Sequence, residues 1–323
     1  MRGKAVFVLL LLSFSLGPVS SEHYTPHWVK PGVYFTYLAT TNETFDWTVP
    51  HAPTVLVTIY NTSGTPVGIY YRGNVTVTFW ILNVSRDVAT IELTVSGGRA
   101  MVRTIGNVTP IWNEKDIVNV DTFGNQSMIY LRHLELKSIY LINLTTGYVY
   151  DLQGNRYGRT LLWYNPYLKP GDYLFTSPGG LNVTVSKIET LNETFLTFYR
   201  PFKPPIIATM TSPFNVELGS VLQIGGKAMG FYDPSTGFLL SFLGVGWSDF
   251  QAGGFLTFMG STRVFPRGDG LKLGGLLLAD TNAEIIGQKV SYTPSISPLL
   301  YVYLFVVVGA ISIVLTLRRR GVR

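Results

Sequence analysis

Asn74-Val75-Thr76-Val77-Thr78-Phe79-Trp80-Ile81-Leu82 alternates strictly. Asn74, Thr76 and Thr78 fall on one face of an extended chain, and Val75, Val77 and Phe79 on the other. A period of two with β-branched and aromatic residues predicts a half-buried strand. Ser85-Arg86-Asp87 then turns the chain into Val88 to Val95, a second alternating run, so the pair predicts a β-hairpin. Outward from it the pattern repeats. Val55 to Tyr60 precedes the hairpin. Met128 to Leu136 and Ser138 to Leu144 follow it, and Thr145-Thr146-Gly147 turns into Tyr148 to Asp151.

Later strands are expected at Lys227 to Tyr232, Phe238 to Leu243, Gly254 to Phe265 and Leu271 to Ala279, with a turn over Asp233 to Gly237. No amphipathic helical stripe interrupts them. Glycine is dense from Gly219 to Gly287, which predicts bulges and close backbone approach in a curved sheet. The expected fold is a mostly β ectodomain, a sandwich or curved half-barrel, followed by one C-terminal transmembrane helix.

That helix is the run Leu299 to Leu317, nineteen residues without a charge, followed by Arg318, Arg319 and Arg320. At about 1.5 Å per residue it spans roughly 28 Å, close to the hydrocarbon thickness of a bilayer. Tyr301 and Tyr303 mark one interface and the arginines the other. At the opposite end, Arg2 and Lys4 precede an apolar stretch from Ala5 to Leu16 and a small-residue site at Val19-Ser20-Ser21. This is the pattern of a secretory signal. The expected organisation is a signal peptide (1–21), an N-terminal sugar-bearing β region (22–200), a glycine-rich membrane-proximal β region (201–297), the span (298–317) and a cytoplasmic tail (318–323). Residues 144–200 are a candidate part of the second region, and the proline-rich stretch from Arg200 to Pro205 marks the join.

Charge narrows the function. Of 25 basic residues, six lie in the signal and tail, which leaves 25 − 6 = 19 against 19 acidic ones. An ectodomain of net charge near zero carries no overall footprint for nucleic acid. With no cysteine, disulfides, thiol nucleophiles and cysteine-based zinc sites are excluded. The four histidines (His23, His27, His51 and His133) form no metalloprotease motif, and no nucleophile-elbow motif occurs. His133, Glu135 and Lys137 share one strand face, read as a solvated face. Asp121-Thr122-Phe123-Gly124 lacks the adjacent glycine of an aspartic-protease loop. No catalytic residue, metal or cofactor is expected. The strong local signal is the sequon, present at Asn42, Asn61, Asn74, Asn83, Asn107, Asn125, Asn143, Asn182 and Asn192. In an exported chain it points to N-glycosylation. The stretch after Asn192 has none. It is therefore expected to hold an unglycosylated face for a partner, or simply a core.

Two Lys-Pro-Gly turns, Val29 to Phe35 and Leu168 to Phe175, echo each other, as internal duplication or chance would produce. Gly147-Tyr148-Val149-Tyr150-Asp151 with Gly154, then Leu162-Trp163, Phe231 to Leu240 and Leu278-Ala279-Asp280-Thr281-Asn282, resembles a pattern in uncharacterised archaeal cell-surface proteins. That resemblance implies a signal peptide, a β-rich ectodomain and one C-terminal span. The hairpin Tyr232-Asp233-Pro234-Ser235-Thr236-Gly237-Phe238-Leu239-Leu240 is also similar to one in lipoprotein-carrier half-barrels, which hold acyl chains on a concave sheet. The first reading is thus a single-pass cell-membrane glycoprotein with its ectodomain outside and its C-terminus in the cytoplasm. It has a structural or interaction role, with the membrane and other envelope proteins or a lipid as partners. A lipid-binding module is the second reading and a surface hydrolase without a recognisable motif the third.

Overall fold

The computed structural model describes residues 24–41, 54–61, 64–106, 110–218 and 222–283. They form a compact unit that is mostly β, built around a closed antiparallel barrel of twelve strands. The signal peptide, the span at 299–317, Asn42 and Asn107 lie outside the described residues. Among the described residues no helix is long and apolar enough to cross a membrane.

The barrel consists of two meanders of six strands. The first runs β1 (Tyr34–Ala39), β4 (Val75–Ser85), β5 (Val88–Ile105), β7 (Gln126–Asn143), β8 (Tyr148–Tyr150) and β9 (Arg156–Arg159). The second runs β10 (Tyr173–Thr176), β11 (Asn182–Leu191), β14 (Ile206–Thr211), β17 (Met229–Tyr232), β18 (Leu239–Leu243) and β20 (Leu276–Thr281). Phe175 opposite Gly158 joins one seam, and β1 beside β20 closes the other. The described parts of the 22–200 and 201–297 stretches, expected as separate regions with 144–200 a candidate part of the second, therefore share one closed sheet. β11 and β14 pair across residue 200, and β1 needs β20 as its neighbour.

Each meander opens on a Lys-Pro-Gly turn. Val33 N donates to Lys30 O (3.2 Å) and Asp172 N to Lys169 O (3.0 Å). Gly32 and Gly171, both at positive φ, then donate to Ile81 O and Val185 O on the second strand of their own half. The fourth and fifth strands of each half are joined by the same turn again. Gly147 N bonds Asn143 O (2.7 Å) as Gly237 N bonds Asp233 O (2.8 Å), and Thr146 and Thr236 each donate a hydroxyl hydrogen bond to that Asn or Asp side chain. The echo in the sequence thus corresponds to two equivalent half-barrels. At the closing seam Asn282 accepts from Tyr34 N and donates to Gly32 O, both at 2.9 Å.

The hairpin read from Asn74 to Val95 is present, with Ser85 opposite Val88. Its second strand continues to Ile105, however, and the two strands expected between Met128 and Leu144 are one. β5 and β7 pair over eighteen residues each, about 60 Å of ribbon. The part beyond the barrel carries β3 (Pro66–Tyr71), β2 (Val55–Tyr60) and β19 (Phe255–Gly260) on one edge and β6 (Ile117–Phe123) on the other. At the junction the buried positions of β5 change from odd (Val95) to even (Ala100, Val102). Arg99, at φ +54°, sits where the pleat changes phase.

The barrel is filled. Trp163, Trp247, Tyr37, Tyr140, Phe79, Phe242 and Phe250 are each under 2 % exposed or near it. A five-residue helix that the periodicity did not reveal, α1 (Ser248–Ala252), lies inside with every side chain buried. Phe250 stacks on Phe258 at 4.2 Å between centroids, and Gly253 and Gly254 end the helix. The outer wall carries Thr76, Glu135 and Lys137, while Val75, Val77, Leu134 and Leu136 face inward. Trp80, Leu82 and Ile139 are also exposed on that wall, the first and last on either side of Glu92.

Candidate functional site

Three buried groups converge on Asp249 of α1. Tyr140 OH (3.1 Å) and Thr160 Oγ1 (2.8 Å) donate to its Oδ1, and Leu161 N (3.0 Å) donates to its Oδ2. The Trp247 indole N–H lies beside them without closing a hydrogen bond. Burial pushes the carboxyl up to about 6, against the three donors, which pull it down. The phenols of Tyr37, Tyr140 and Tyr232 are pushed up by burial and stay neutral. Tyr232 donates to Leu161 O (3.0 Å) and Tyr37 to Leu239 O (3.1 Å). The Ser248 hydroxyl, which bonds Arg159 O, joins the three donors to Asp249 in fastening α1 to the barrel wall. A perturbed carboxyl often marks chemistry, but this one is fully buried and its acceptors are taken.

Two small recesses lie inside the barrel among the described residues. One recess lies against Leu161, Leu174, Tyr232, Phe242 and Trp247, the other against Trp28, Phe35, Tyr37, Phe79 and Trp163. Each has room for about one water molecule. The acyl-sized concavity that a half-barrel carrier requires is occupied here by side chains. Trp28 blocks one end, bonding Thr236 O (2.7 Å) and packing on Phe35 at 4.7 Å. Among the described residues no three His, Asp or Glu side chains gather as a metal site.

The sequon asparagines occupy the outside. Asn74, Asn83, Asn125, Asn182 and Asn192 are exposed, and Asn61 and Asn143 are half-buried. At four of them the side-chain oxygen is held, that of Asn61 by Thr65 N (2.7 Å), and the amide nitrogen is the other end. Thr40 donates to Asn74, Thr176 to Asn182 (3.2 Å), and Thr145 N, Thr146 N and the Thr146 hydroxyl to Asn143. Asn143 therefore also has a structural role, shaping the turn that Asp233 shapes in the second half. The asparagines are spread around the barrel and its extension rather than brought together. His133, Glu135 and Lys137 form the expected exposed face, with Lys137 3.2 Å from Glu135.

The sequon-free stretch does not present an apolar face. Phe195 packs on Phe231 at 5.4 Å, and the pair β12 (Phe195–Leu196) and β13 (Pro201–Phe202) lies against the wall with Leu196 N bonded to Leu271 O. Of its large apolar side chains only Phe265 is exposed, at 38 %, among the described residues. The apolar residues there fill a core and its covering layer. No known protein family, curated protein or solved structure matches this chain.

What the sequence reading missed was Asp249 and its partners. A single carboxylate inside Gly246-Trp247-Ser248-Asp249-Phe250 was the available signal.

Proposed function

We propose that the chain is a membrane-anchored cell-envelope glycoprotein whose barrel is a rigid structural or interaction module displayed outside the cell. The observation that carries this reading is that the described sequon asparagines are exposed or half-buried on the surface of a filled barrel and its extension. The uncharged run before Arg318 and the signal-like start support the anchor and export, and the resemblance to archaeal cell-surface proteins supports the setting. The partners are the membrane and other envelope components. Glycopeptide mass spectrometry of protein purified from its native membrane tests the reading. Sugar is expected on several of the nine asparagines, and nine unmodified sites would overturn it.

The lipid-carrier reading keeps one specific support, the hairpin at Asp233 to Gly237 on a closed antiparallel sheet. It requires α1 and Trp28 to leave the interior. Solvent extraction of the purified protein decides it, since a carrier releases a stoichiometric lipid.

A further inference from the structure

We propose that the outer face of the extension sheet is a binding surface for an acidic polysaccharide. The positions of β5 and β7 that are not buried beyond the pleat change are Arg99, Met101 and Arg103 on one strand and Arg132, Tyr130 and Met128 on the other. The register sets Met101 opposite Tyr130 and Arg103 opposite Met128. Gly98 opposite His133 and Ala100 opposite Leu131 bracket Arg99 and Arg132 as neighbours. On the other side of β5, Tyr70 faces Met101 and Arg72 N bonds Arg99 O (3.2 Å). Three arginines therefore form a row across three strands, and Arg103 follows four residues along. Two carboxylates border these positions, Asp121 opposite Met128 and Asp116 next to Ile117, which faces Leu131, so the face carries 4 − 2 = +2 in an ectodomain of net charge near zero.

A guanidinium is a planar donor that takes a carboxylate bidentately, and a row of them suits repeated carboxylates. Between the arginine levels stands an aromatic level, Tyr70 and Tyr130 flanking Met101. The levels lie about 7 Å apart along the strands, and the strands about 4.8 Å apart. Such a surface offers flat apolar rings for sugar faces and cations for the carboxylates between them. Arg72 bears on the same place, because it pulls down the Tyr130 phenol that burial and Asp121 push up. Arg103 also donates to Gln126 Oε1 (3.2 Å), while its shielded Nε has no acceptor among the described residues. A sugar acid is favoured over a phosphate polymer because Asp121 and the tyrosines interrupt the cationic track.

The proposal deepens the envelope reading and rests on it for the setting of the partner. Its test uses purified full-length protein in neutral detergent, so binding can fail while export and glycosylation hold, and the reverse. Immobilised polygalacturonate is the probe, with neutral dextran, single-stranded DNA and phosphatidylglycerol vesicles as comparison arms. Salt-sensitive retention on polygalacturonate is expected, weakened about tenfold or more in R99Q/R132Q and unchanged when the same charge is removed in K137Q/K187Q. Both arginines are exposed, and a thermal melt checks that the variant stays folded. If it unfolds, R132Q alone gives the reading, with a smaller loss. Tyr70→Ala should weaken polygalacturonate binding without changing its salt dependence. Absence of retention at low salt, or equal retention by R99Q/R132Q, overturns the proposal. So does DNA or vesicle binding as tight as polygalacturonate binding and lost in the same variant.

Discussion

Asp249 makes a prediction of unusual sign. A carboxylate whose folded pKa lies above its unfolded one binds its proton more tightly in the folded state. Its contribution therefore favours folding at low pH and fades as pH rises from about 4 to about 6. With the carboxyl raised to about 6 in full burial, the span from an ordinary value near 3.9 corresponds to roughly 3 kcal/mol. About 2 kcal/mol of that lies between pH 4.5 and pH 7. Asp249→Asn removes the titration and keeps the shape. Leu161 N can still donate to the amide oxygen, and the Tyr140 and Thr160 hydroxyls can turn to accept from its nitrogen. Urea midpoints of both proteins at pH 4.5, 5.5, 6.5 and 7.5 should show their stability gap shifting by that amount, wild type gaining toward low pH. Parallel pH profiles for the two would refute the reasoning. Asp249→Ala should cost about 3 to 6 kcal/mol, more at pH 4.5 than at pH 7.5, because three buried donors lose their acceptor.

Other outcomes follow from the same packing. Gly275→Ala should lower stability by about 3 kcal/mol or more, since its φ is +97° and an added Cβ would sit 2.1 Å from Phe242 O. A thermal melt checks it. Asn282→Ala removes two of the side-chain hydrogen bonds at the closing seam, costs about 1–3 kcal/mol, and should raise amide exchange at Tyr34. Trp28→Ala should cost about 3–5 kcal/mol and open the blocked end of the barrel, read by binding of a hydrophobic dye. Protease added to intact cells should remove the barrel and spare a tail ending in Arg323, and full protection of the barrel would contradict the proposed orientation.

The β class, the individual strands and the outward faces of the asparagines were legible in the sequence, because alternation is a property of neighbouring residues. Val75, Val77 and Phe79 had to share a face however the sheet closed. The two Lys-Pro-Gly turns were equally legible, since proline and glycine constrain their own backbone. The partners of those strands were not. β1 finds β20 across more than two hundred residues, and only the closing of the sheet sets that pairing, so a composition shift at Arg200 looked like a boundary. The length of β5 was hidden by Gly97-Gly98-Arg99, where the pleat changes phase and a strand reads as ended. Helix α1 is too short to show a period, and its place inside the barrel depends on Tyr140, Thr160 and Leu161, about ninety to a hundred and ten residues away. The arginine row has the same cause. Arg72, Arg99 and Arg132 are scattered along the chain, and only antiparallel register sets them side by side.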